Sequence, residues 1–314
     1  MKILVTGAAG FIGSHCAERL AALGHKVVGA DNYSPYYDQD LKHKNAKDLE
    51  EVGIPVTRLD LREPKDFSKL DTDFEYIFHF AGQPGIAANS SFEDYLMNNL
   101  VATKNLIDFA LNCKRLKMFT NISTSSIYGL HATLTEESAP APASFYGVTK
   151  LAGEQLVLSK SREKKIKTCS LRLFSVYGPR ERPEKLYTKL IGCGFFNQEF
   201  PLFEGSEEHV RSFTYVGDII DGVVSVIGNE EKVDGQIINM GSEAEHTTGE
   251  GIAIVETLLN TEIRKNVIPK RQGDQMFTKA NIEKAKKLLN YNPQTTLKEG
   301  LEKQVEWYRK AFVN

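Results

Sequence analysis

The sequence contains few of the residues that would indicate a secreted or membrane-bound protein. Its 314 residues include 4 cysteines and one tryptophan. The cysteines lie at positions 16, 113, 169 and 193, with no pair at metal-ligand or redox-motif spacing, so we expect reduced thiols in a cytoplasmic protein. No apolar run reaches membrane length, and the opening MKILVTGAAGFIG is too short in apolar residues for a signal sequence, so we predict no membrane partner.

A surplus of positive charge is also missing. The formal net charge is −2, which leaves no basic excess to bind a phosphate backbone, and we predict no nucleic-acid partner. None of the seven histidines has a partner at metal spacing, and we predict no metal. A small molecule is therefore the expected ligand.

What the sequence does contain is an alternation of short apolar runs and helix-length amphipathic stretches. The runs are KILVT, KVVGA, VTRLD, YIFHFAG and KMFTNIST. This order predicts an α/β fold, a doubly wound parallel sheet. We expect it to span residues 1–173, with 174–314 mainly forming a smaller α/β lobe, and we allow for a return of the chain to the first domain. Near the end, Leu297, Leu301 and Val305 lie at helical spacing and predict a closing helix.

A glycine-rich turn follows the first predicted strand. In TGAAGFIG, Gly7, Gly10 and Gly13 permit a tight turn and allow a pyrophosphate to approach the amides at a helix N-terminus. Three glycines alone are weak evidence, because they also fit a plain strand-to-helix turn. Asp31 ends the next strand about 20 residues on, where a carboxylate binds a ribose and repels a 2′-phosphate, which favours NAD over NADP. Asp60, after the third strand, reaches the adenine edge or caps its own strand.

Tyr146 and Lys150 lie four residues apart in a helical segment and share a face. A phenol with a pKa near 10 must lose about three units, roughly 4 kcal/mol, to act as a base at neutral pH. One cation at about 4 Å supplies a similar amount at an effective dielectric near 20. Thr124, at the end of the fifth strand, is then placed to orient a substrate oxygen, although a strand-end hydroxyl can also be purely structural.

Together these motifs resemble a known family. TGAAGFIG, HFAG, STSSIYG, the Tyr146–Lys150 pair, LRLFSVYGPRERP and RSFTYVGD are similar to those of the extended short-chain dehydrogenase/reductase superfamily. Within it, the pattern resembles NAD-dependent nucleotide-sugar epimerases and dehydratases, and UDP-glucuronate 4-epimerases most of all. The resemblance implies a Rossmann domain that holds NAD, a C-terminal lobe that binds a nucleotide-diphosphate sugar, and a homodimer built from two paired helices per subunit. It also implies hydride transfer from carbon 4 of the sugar.

The resemblance assigns roles residue by residue. It implies catalytic roles for Thr124, Tyr146 and Lys150. It implies NAD contacts from Gly7, Gly10, Phe11, Ile12, Gly13, Asp31, Asn32, Asp60, Leu61, Ala81, Asn99 and Lys150. It implies substrate contacts from Ser125, Ser126, Ser175, Arg182, Arg211, Arg271 and Asp274. Taken alone, Arg211 and Arg271 would be ordinary surface arginines. Asn99 matches a family asparagine that ties a helix to the sheet, so the resemblance implies a structural role for it before a catalytic one.

The residues after Thr124 bear on the reaction. Dehydratases of this family typically carry Asp-Glu there, whereas this chain has Ser125 and Ser126. Without those carboxylates, elimination lacks its acid, whereas epimerisation at carbon 4 needs only Tyr146 and the cofactor. Alcohols also donate hydrogen bonds to a carboxylate without charge repulsion. We therefore expect UDP-glucuronate to be converted to UDP-galacturonate through a transient 4-keto sugar.

Three positions depart from the named activities and keep alternatives open. Ala87 stands where uronate epimerases usually carry arginine, Pro84 where UDP-galactose epimerases carry lysine, and Ser175 where the latter carry asparagine. The alternatives are a UDP-hexose 4-epimerase, and a 4-dehydrogenase, dehydratase or decarboxylase of the same family. From another class, an NAD-sensing binding protein remains, although such proteins usually lose the tyrosine–lysine pair that is intact here.

Overall fold

The computed structural model describes residues 1–85, 90–129, 132–269 and 277–313. Its main feature is a seven-stranded sheet in which every pairing is parallel. Numbered along the chain, its strands are β1 (Lys2–Thr6), β2 (Lys26–Asp31), β3 (Val56–Arg58), β4 (Tyr76–His79), β5 (Met118–Thr124), β6 (Thr168–Leu173) and β11 (Ile237–Met240). Their spatial order is β11-β6-β5-β4-β1-β2-β3. The predicted doubly wound α/β fold is confirmed.

Helices cover both faces of this sheet and build much of the C-terminal part. They are α1 (Phe11–Ala22), α2 (Gln39–Glu51), α3 (Phe92–Tyr95), α4 (Ala102–Ala110), α5 (Phe145–Arg162), α6 (Leu186–Phe195), α7 (Val216–Val224), α8 (Glu230–Val233), α9 (Thr248–Leu259), α10 (Glu283–Leu289) and α11 (Leu297–Phe312). A π-helical segment, Leu96–Val101, joins α3 to α4. Short 3₁₀ turns occupy Pro64–Lys69, Ser125–Tyr128 and Ser206–Glu208.

The C-terminal part has its own core. Its short strands are β7 (Val176–Tyr177), β8 (Phe200–Phe203), β9 (Val210–Arg211), β10 (Thr214–Tyr215), β12 (His246–Thr247), β13 (Lys265–Ile268) and β14 (Phe277–Thr278). Apolar side chains of α6, α9 and α11 pack together beside them. The predicted closing helix is α11, and Leu297, Leu301 and Val305 face this core.

The large sheet is held by apolar layers on both faces. Along β1, Ile3 and Val5 face one buried cluster, whereas Leu4 between them faces another. This alternation is the period of two expected for a strand, and burial on both faces explains why the parallel strands read as continuous apolar runs. Each layer excludes water from one side of the sheet.

The order of strands places a crevice at one edge of the sheet. The chain winds from β1 to β3 in one direction and from β4 to β6 in the other, and ligands bind at such a reversal, beyond the carboxyl ends of the strands. Later, β11 pairs in register with β6, and α7 packs against α1. The chain after residue 173 therefore contributes to both parts of the molecule. Within the described ranges, no helix has the length and apolar composition needed to cross a bilayer.

Candidate active site

A cleft of about 1180 Å³ opens at this crevice and extends into the C-terminal part. It brings together every predicted site residue that falls in the described part of the chain. On the cofactor side its lining includes Gly7, Gly10, Phe11, Ile12, Gly13, Asp31, Asn32, Asp60, Leu61, Ala81 and Asn99. Toward the C-terminal part its lining includes Thr124, Ser125, Ser126, Tyr146, Lys150, Ser175, Arg182 and Arg211. Arg271, Asp274 and Ala87 lie outside the described residues.

The glycine turn is shaped by close backbone approach. Gly7 has a positive φ of 70°, and a Cβ on Gly13 would lie 2.1 Å from the Gly7 carbonyl oxygen, so neither position accepts a side chain without rearrangement. Gly10 occupies the N-cap position of α1 and has no side chain with which to accept a hydrogen bond from the first-turn amides. The first turn contains no acidic residue. The first-turn amides therefore face the cleft ready to bind an anion.

Asp31 lies at the end of β2, beside this turn. Its side chain accepts hydrogen bonds from the Ala9 amide at 3.1 Å and from the Tyr33 amide at 2.8 Å. Burial raises the pKa of Asp31, and these backbone hydrogen bonds oppose the rise. The two amides fix the orientation of the carboxylate at the edge of the cleft.

Asp60 has a partner that the sequence did not reveal. Arg62 donates to it from Nε and Nη2, the latter at 2.6 Å, and the Asn32 amide donates at 3.4 Å. Burial raises the pKa of Asp60, but the hydrogen bonds from Arg62 outweigh that effect and the net pKa is lowered. Asp60 is thus an ionised acceptor at the edge of the cleft.

Helix α5 carries the predicted base and its lysine. The Ser144 side chain caps the helix by accepting from the Gly147 amide at 3.1 Å. Lys150 Nζ donates to the Ile122 carbonyl in β5 at 2.6 Å. A Cβ on Gly147 would lie only 2.7 Å from the Ser126 carbonyl oxygen, so the helix lies directly against the hydroxyl-rich end of β5.

Burial shifts the pKa values of this pair in opposite directions. It raises the pKa of the Tyr146 phenol, while a hydrogen bond with Thr124 and the charge of Arg182 oppose the rise. It lowers the pKa of Lys150 to about 8, and the charge of Glu154 opposes that change. Tyr146 is therefore protonated at neutral pH. Arg182 is a cation acting on this phenol that the sequence reasoning did not include.

Several hydroxyl groups line the cleft that contains Tyr146, and Thr124 hydrogen-bonds its phenol. Thr124 Oγ1 accepts from the Ser126 amide at 3.2 Å and donates to Ser126 Oγ at 3.3 Å. Ser125 and Ser126 are half-buried in the 3₁₀ turn after β5, and Ser175 faces the same cleft from the residue before β7. No carboxylate occupies the two positions after Thr124.

Two buried cleft residues were missed by the sequence reasoning. Ser123 is 4% exposed, and its Oγ has no hydrogen-bond partner within the described part of the chain. Glu181 is 5% exposed; burial raises its pKa to about 7, although Gln304 and Thr188 donate to it at 2.9 and 3.2 Å. The sequence signal for Ser123 was a hydroxyl within the apolar run KMFTNIST. The signal for Glu181 was its place among three charged residues between two prolines, in GPRERP.

These observations fit a bound dinucleotide. The uncapped helix N-terminus would hold a pyrophosphate, Asp31 would accept from a ribose, and the Ser123 hydroxyl would bind a polar group of the cofactor. Among the residues that the structure describes, no cluster of three or more histidine, cysteine or acidic side chains could hold a metal ion.

Comparison with known proteins identifies the family. Residues 3–241 match the model of the NAD dependent epimerase/dehydratase family. The chain belongs to this family. The resemblance seen in the motifs is therefore confirmed, and the family depends on the cofactor that the glycine turn and Asp31 predict.

Members of this NAD-dependent epimerase/dehydratase family resemble the chain over nearly all of its length. UDP-glucuronate 4-epimerase 6 of Arabidopsis thaliana is 33% identical over 98% of this chain and 71% of its own. The uncharacterized UDP-glucose epimerase YtcB of Bacillus subtilis (strain 168) is 34% identical over 99% of both chains. The crystal structure of a Bacillus cereus UDP-glucuronic acid 4-epimerase with UDP-glucuronic acid and NAD covers 99% of this chain and 100% of that one, with 35% identity and a TM-score of 0.93.

Proposed function

We propose that this protein is an NAD-dependent UDP-sugar 4-epimerase that interconverts UDP-glucuronate and UDP-galacturonate. The observation that carries the proposal is that Thr124 and Arg182 act on Tyr146 in a cleft that also contains the dinucleotide turn. The same cleft is lined by Ser125, Ser126 and Ser175. Relatives named for both the acid and the neutral sugar occur in the family. The hydroxyls and the arginine favour the acid, because they can bind a carboxylate and add no negative charge.

When bound, NAD supplies the acceptor and later the donor of a hydride. Tyr146 takes the proton from the carbon 4 hydroxyl and afterwards returns it, and the raised pKa of its phenol must fall before it can act as a base. Arg182 brings positive charge toward the phenol. In this proposal Lys150, four residues along α5, adds to that charge. Thr124, hydrogen-bonded to Tyr146, orients the sugar oxygen toward that base.

The acid substituent also needs restraint. A 4-keto uronic acid is a β-keto acid, and it loses carbon dioxide when its carboxylate turns perpendicular to the carbonyl. Ser125, Ser126 and Ser175 provide three neutral donors that can hold the carboxylate in one orientation. In this proposal Arg211, together with Arg271 and Asp274 outside the described residues, binds the diphosphate and nucleotide ribose. Residues 1–173 then mainly bind NAD and 174–314 mainly bind the UDP-sugar.

Proton NMR of the NAD-loaded protein tests the substrate. With UDP-glucuronate, we expect new galacto-configured signals to grow until the two sugars reach equilibrium, and UDP-glucose should turn over much more slowly. Faster turnover of UDP-glucose would replace the proposal with a hexose epimerase. Carbon dioxide release would indicate a decarboxylase, and absence of any turnover with NAD still bound would indicate a sensor.

Tyr146→Phe tests the base in the same assay. Loss of a general base should lower kcat by about 10²–10⁴-fold. Tyr95→Phe is the matched control, because its ring lies 6.1 Å from that of Tyr146 and its hydroxyl donates to the Gly85 carbonyl. Equal losses in both variants would show that removing either tyrosine hydroxyl disturbs the site, and would contradict a specific role of the Tyr146 hydroxyl as the base.

We also infer a homodimer. Four apolar side chains are exposed on adjacent surfaces of α3, the π-helical segment and α5: Phe92, Met97, Phe145 and Val148. The Phe92 and Phe145 rings pack edge to face at 5.3 Å, so they form one continuous patch. A second copy of the same patch would cover it by two-fold symmetry.

Light scattering of the eluting protein measures this assembly. The native chain should have twice the mass of one subunit, and Phe145→Glu should elute as a monomer. Phe196→Glu is the matched control, since Phe196 is similarly exposed on another surface. Dissociation by the control variant, or none by Phe145→Glu, would place the interface elsewhere.

The buried, unpaired cysteines support a cytoplasmic location, as inferred from the sequence.

A further inference from the structure

Arg182 is a cation of the C-terminal part whose guanidinium lies near Gly85 and Tyr36 of the N-terminal part. It lies in the loop between β7 and α6, is 8% exposed, and lines the cleft. Its Nη1 lies 2.7 Å from Glu184 Oε1. A Cβ on Gly85, after β4, would lie 3.3 Å from its Nη2, so the guanidinium extends across the cleft to the other side.

Tyr36 contacts the guanidinium from that other side. It belongs to the loop that follows β2, five residues after Asp31, and it is half-buried in the cleft lining. Arg182 Cζ lies 5.5 Å from the centre of the Tyr36 ring, and the guanidinium hydrogen-bonds the Tyr36 hydroxyl. The Tyr36 ring thus makes a cation–π contact with the guanidinium, and the Tyr36 hydroxyl adds a hydrogen bond to it.

Glu184 cannot fix Arg182 as well as this ring does. The Glu184 side chain is 50% exposed, and an ion pair with an exposed carboxylate contributes little because water screens it. The ring is planar and partly shielded, and it matches the flat guanidinium. The orientation of Arg182 therefore depends on a loop from the cofactor side of the molecule.

We propose that Tyr36 is a positioning residue that holds Arg182 beside Tyr146, where the guanidinium receives an anionic substituent at carbon 6 of the sugar. The inference rests on the proposed function, since it concerns the same cleft and substrate. It deepens that function by naming a specificity determinant outside the C-terminal part. Tyr36 acts through the arginine, which it contacts with both its ring and its hydroxyl.

Calorimetric titration of NAD-loaded protein tests the idea without relying on turnover. UDP-glucuronate and UDP-glucose are titrated separately into the native protein, Tyr36→Leu and Tyr36→Phe. For UDP-glucuronate we expect Kd to rise about tenfold in Tyr36→Leu and about threefold in Tyr36→Phe, which keeps the ring. For UDP-glucose the change should stay within about twofold, because no charge is bound at carbon 6.

Two controls separate a positioning role from a structural one. Tyr76→Phe removes a tyrosine hydroxyl that hydrogen-bonds Glu230 outside the cleft, and it should leave both Kd values unchanged. In an Arg182→Met background, Tyr36→Leu should have no further effect on UDP-glucuronate binding, because its action passes through the arginine. An additional tenfold loss in that background would overturn the proposal.

A crystal structure of Tyr36→Leu with NAD distinguishes failure of this inference from failure of the proposed function. A displaced Arg182 supports the positioning role whatever the sugar. An unmoved Arg182 overturns it, even if UDP-glucuronate proves to be the substrate. If the native protein instead binds both nucleotides equally, the acid specificity of the proposed function fails while the displacement still reports on Tyr36.

Discussion

Arg172 and Arg182 lie ten residues apart, and both are buried, but they differ in how their charges are paired. Arg172, in β6, pairs with Glu154 of α5 through Nε at 3.0 Å and Nη2 at 2.6 Å, with side-chain exposures of 1% and 0%. Arg182 is almost as buried, yet its ionic partner Glu184 is half-exposed. The charge of Arg172 is neutralised by a buried carboxylate. The charge of Arg182 is paired only with a half-exposed carboxylate, so it can still bind an anionic ligand in the cleft.

Glu181 contributes to this imbalance. It precedes Arg182 and is buried, and burial raises its pKa to about 7, so near neutral pH it is only partly ionised. A fully charged carboxylate there would neutralise the arginine before any ligand arrived. The comparison indicates that the buried ion pair of Arg172 serves the fold, whereas the incompletely paired charge of Arg182 serves ligand binding.

Breaking the balanced pair should have the largest effect. Arg172→Met leaves Glu154 buried without its cation, and we expect the free energy of unfolding to fall by about 3–5 kcal/mol in urea denaturation. The double variant Arg172→Met/Glu154→Met should recover most of that loss, because a well-packed apolar pair replaces a buried ion pair at little cost. A loss below about 1 kcal/mol in the single variant would contradict the comparison.

Arg182→Met should damage binding more than folding. We expect the Kd of UDP-glucuronate to rise about 100-fold, close to 3 kcal/mol, while the free energy of unfolding changes by less than about 1 kcal/mol. Arg182→Lys keeps the charge but loses the planar fork and should be intermediate. Calorimetry and urea denaturation of the same preparations measure both quantities. A stability loss as large as that of Arg172→Met would remove the distinction between the two arginines.

Glu181→Gln should sharpen the comparison through pH. The pKa of Glu181 is raised on folding from its ordinary value of 4.5 to about 7, so its contribution to stability is complete below 4.5 and is lost as pH rises through 7. Relative to the native chain, Glu181→Gln should therefore gain roughly 2 kcal/mol of unfolding free energy between pH 5 and pH 8. Denaturation at the two pH values measures the difference, and a constant offset would show that Glu181 titrates normally.

The smallest effect is expected at an exposed pair. Arg19 and Asp221 lie 3.0 Å apart, with side-chain exposures of 48% and 62%. Asp221→Asn should change the free energy of unfolding by less than about 0.5 kcal/mol, because water and salt screen the attraction. This variant gives the reference value for an exposed ion pair. A larger loss would show that the distance between the charges, and not their burial, determines how much an ion pair stabilises the protein.

The fold was largely readable from the sequence because its signals are local. The runs KILVT and KMFTNIST and the glycine turn each lie within a few neighbouring residues, and the structure has β1, β5 and the start of α1 there. Leu297, Leu301 and Val305 likewise gave α11 by spacing alone. The position of β11 beside β6 has no such local signal, because a four-residue strand takes its place from the free edge of an existing sheet.

The site was readable only in part. The motif residues fall in one cleft, but Arg62 on Asp60 and Tyr36 on Arg182 are contacts between loops or within a turn. Such contacts depend on where the backbone brings side chains after folding, and residue type alone does not fix that. The pKa of Tyr146 illustrates the same limit, since burial, which the sequence cannot measure, is the largest cause of its rise.

The π-helical segment Leu96–Val101 has an evolutionary consequence. It places the buried Asn99 so that Oδ1 accepts from the Gln83 amide at 2.8 Å and Nδ2 donates to Thr149 at 3.1 Å. A π turn is an α-helix with one inserted residue, so loss of a single residue here would restore regular winding and rotate one flank by about 100°. Relatives that keep this asparagine should therefore tolerate substitutions in the segment but no change in its length.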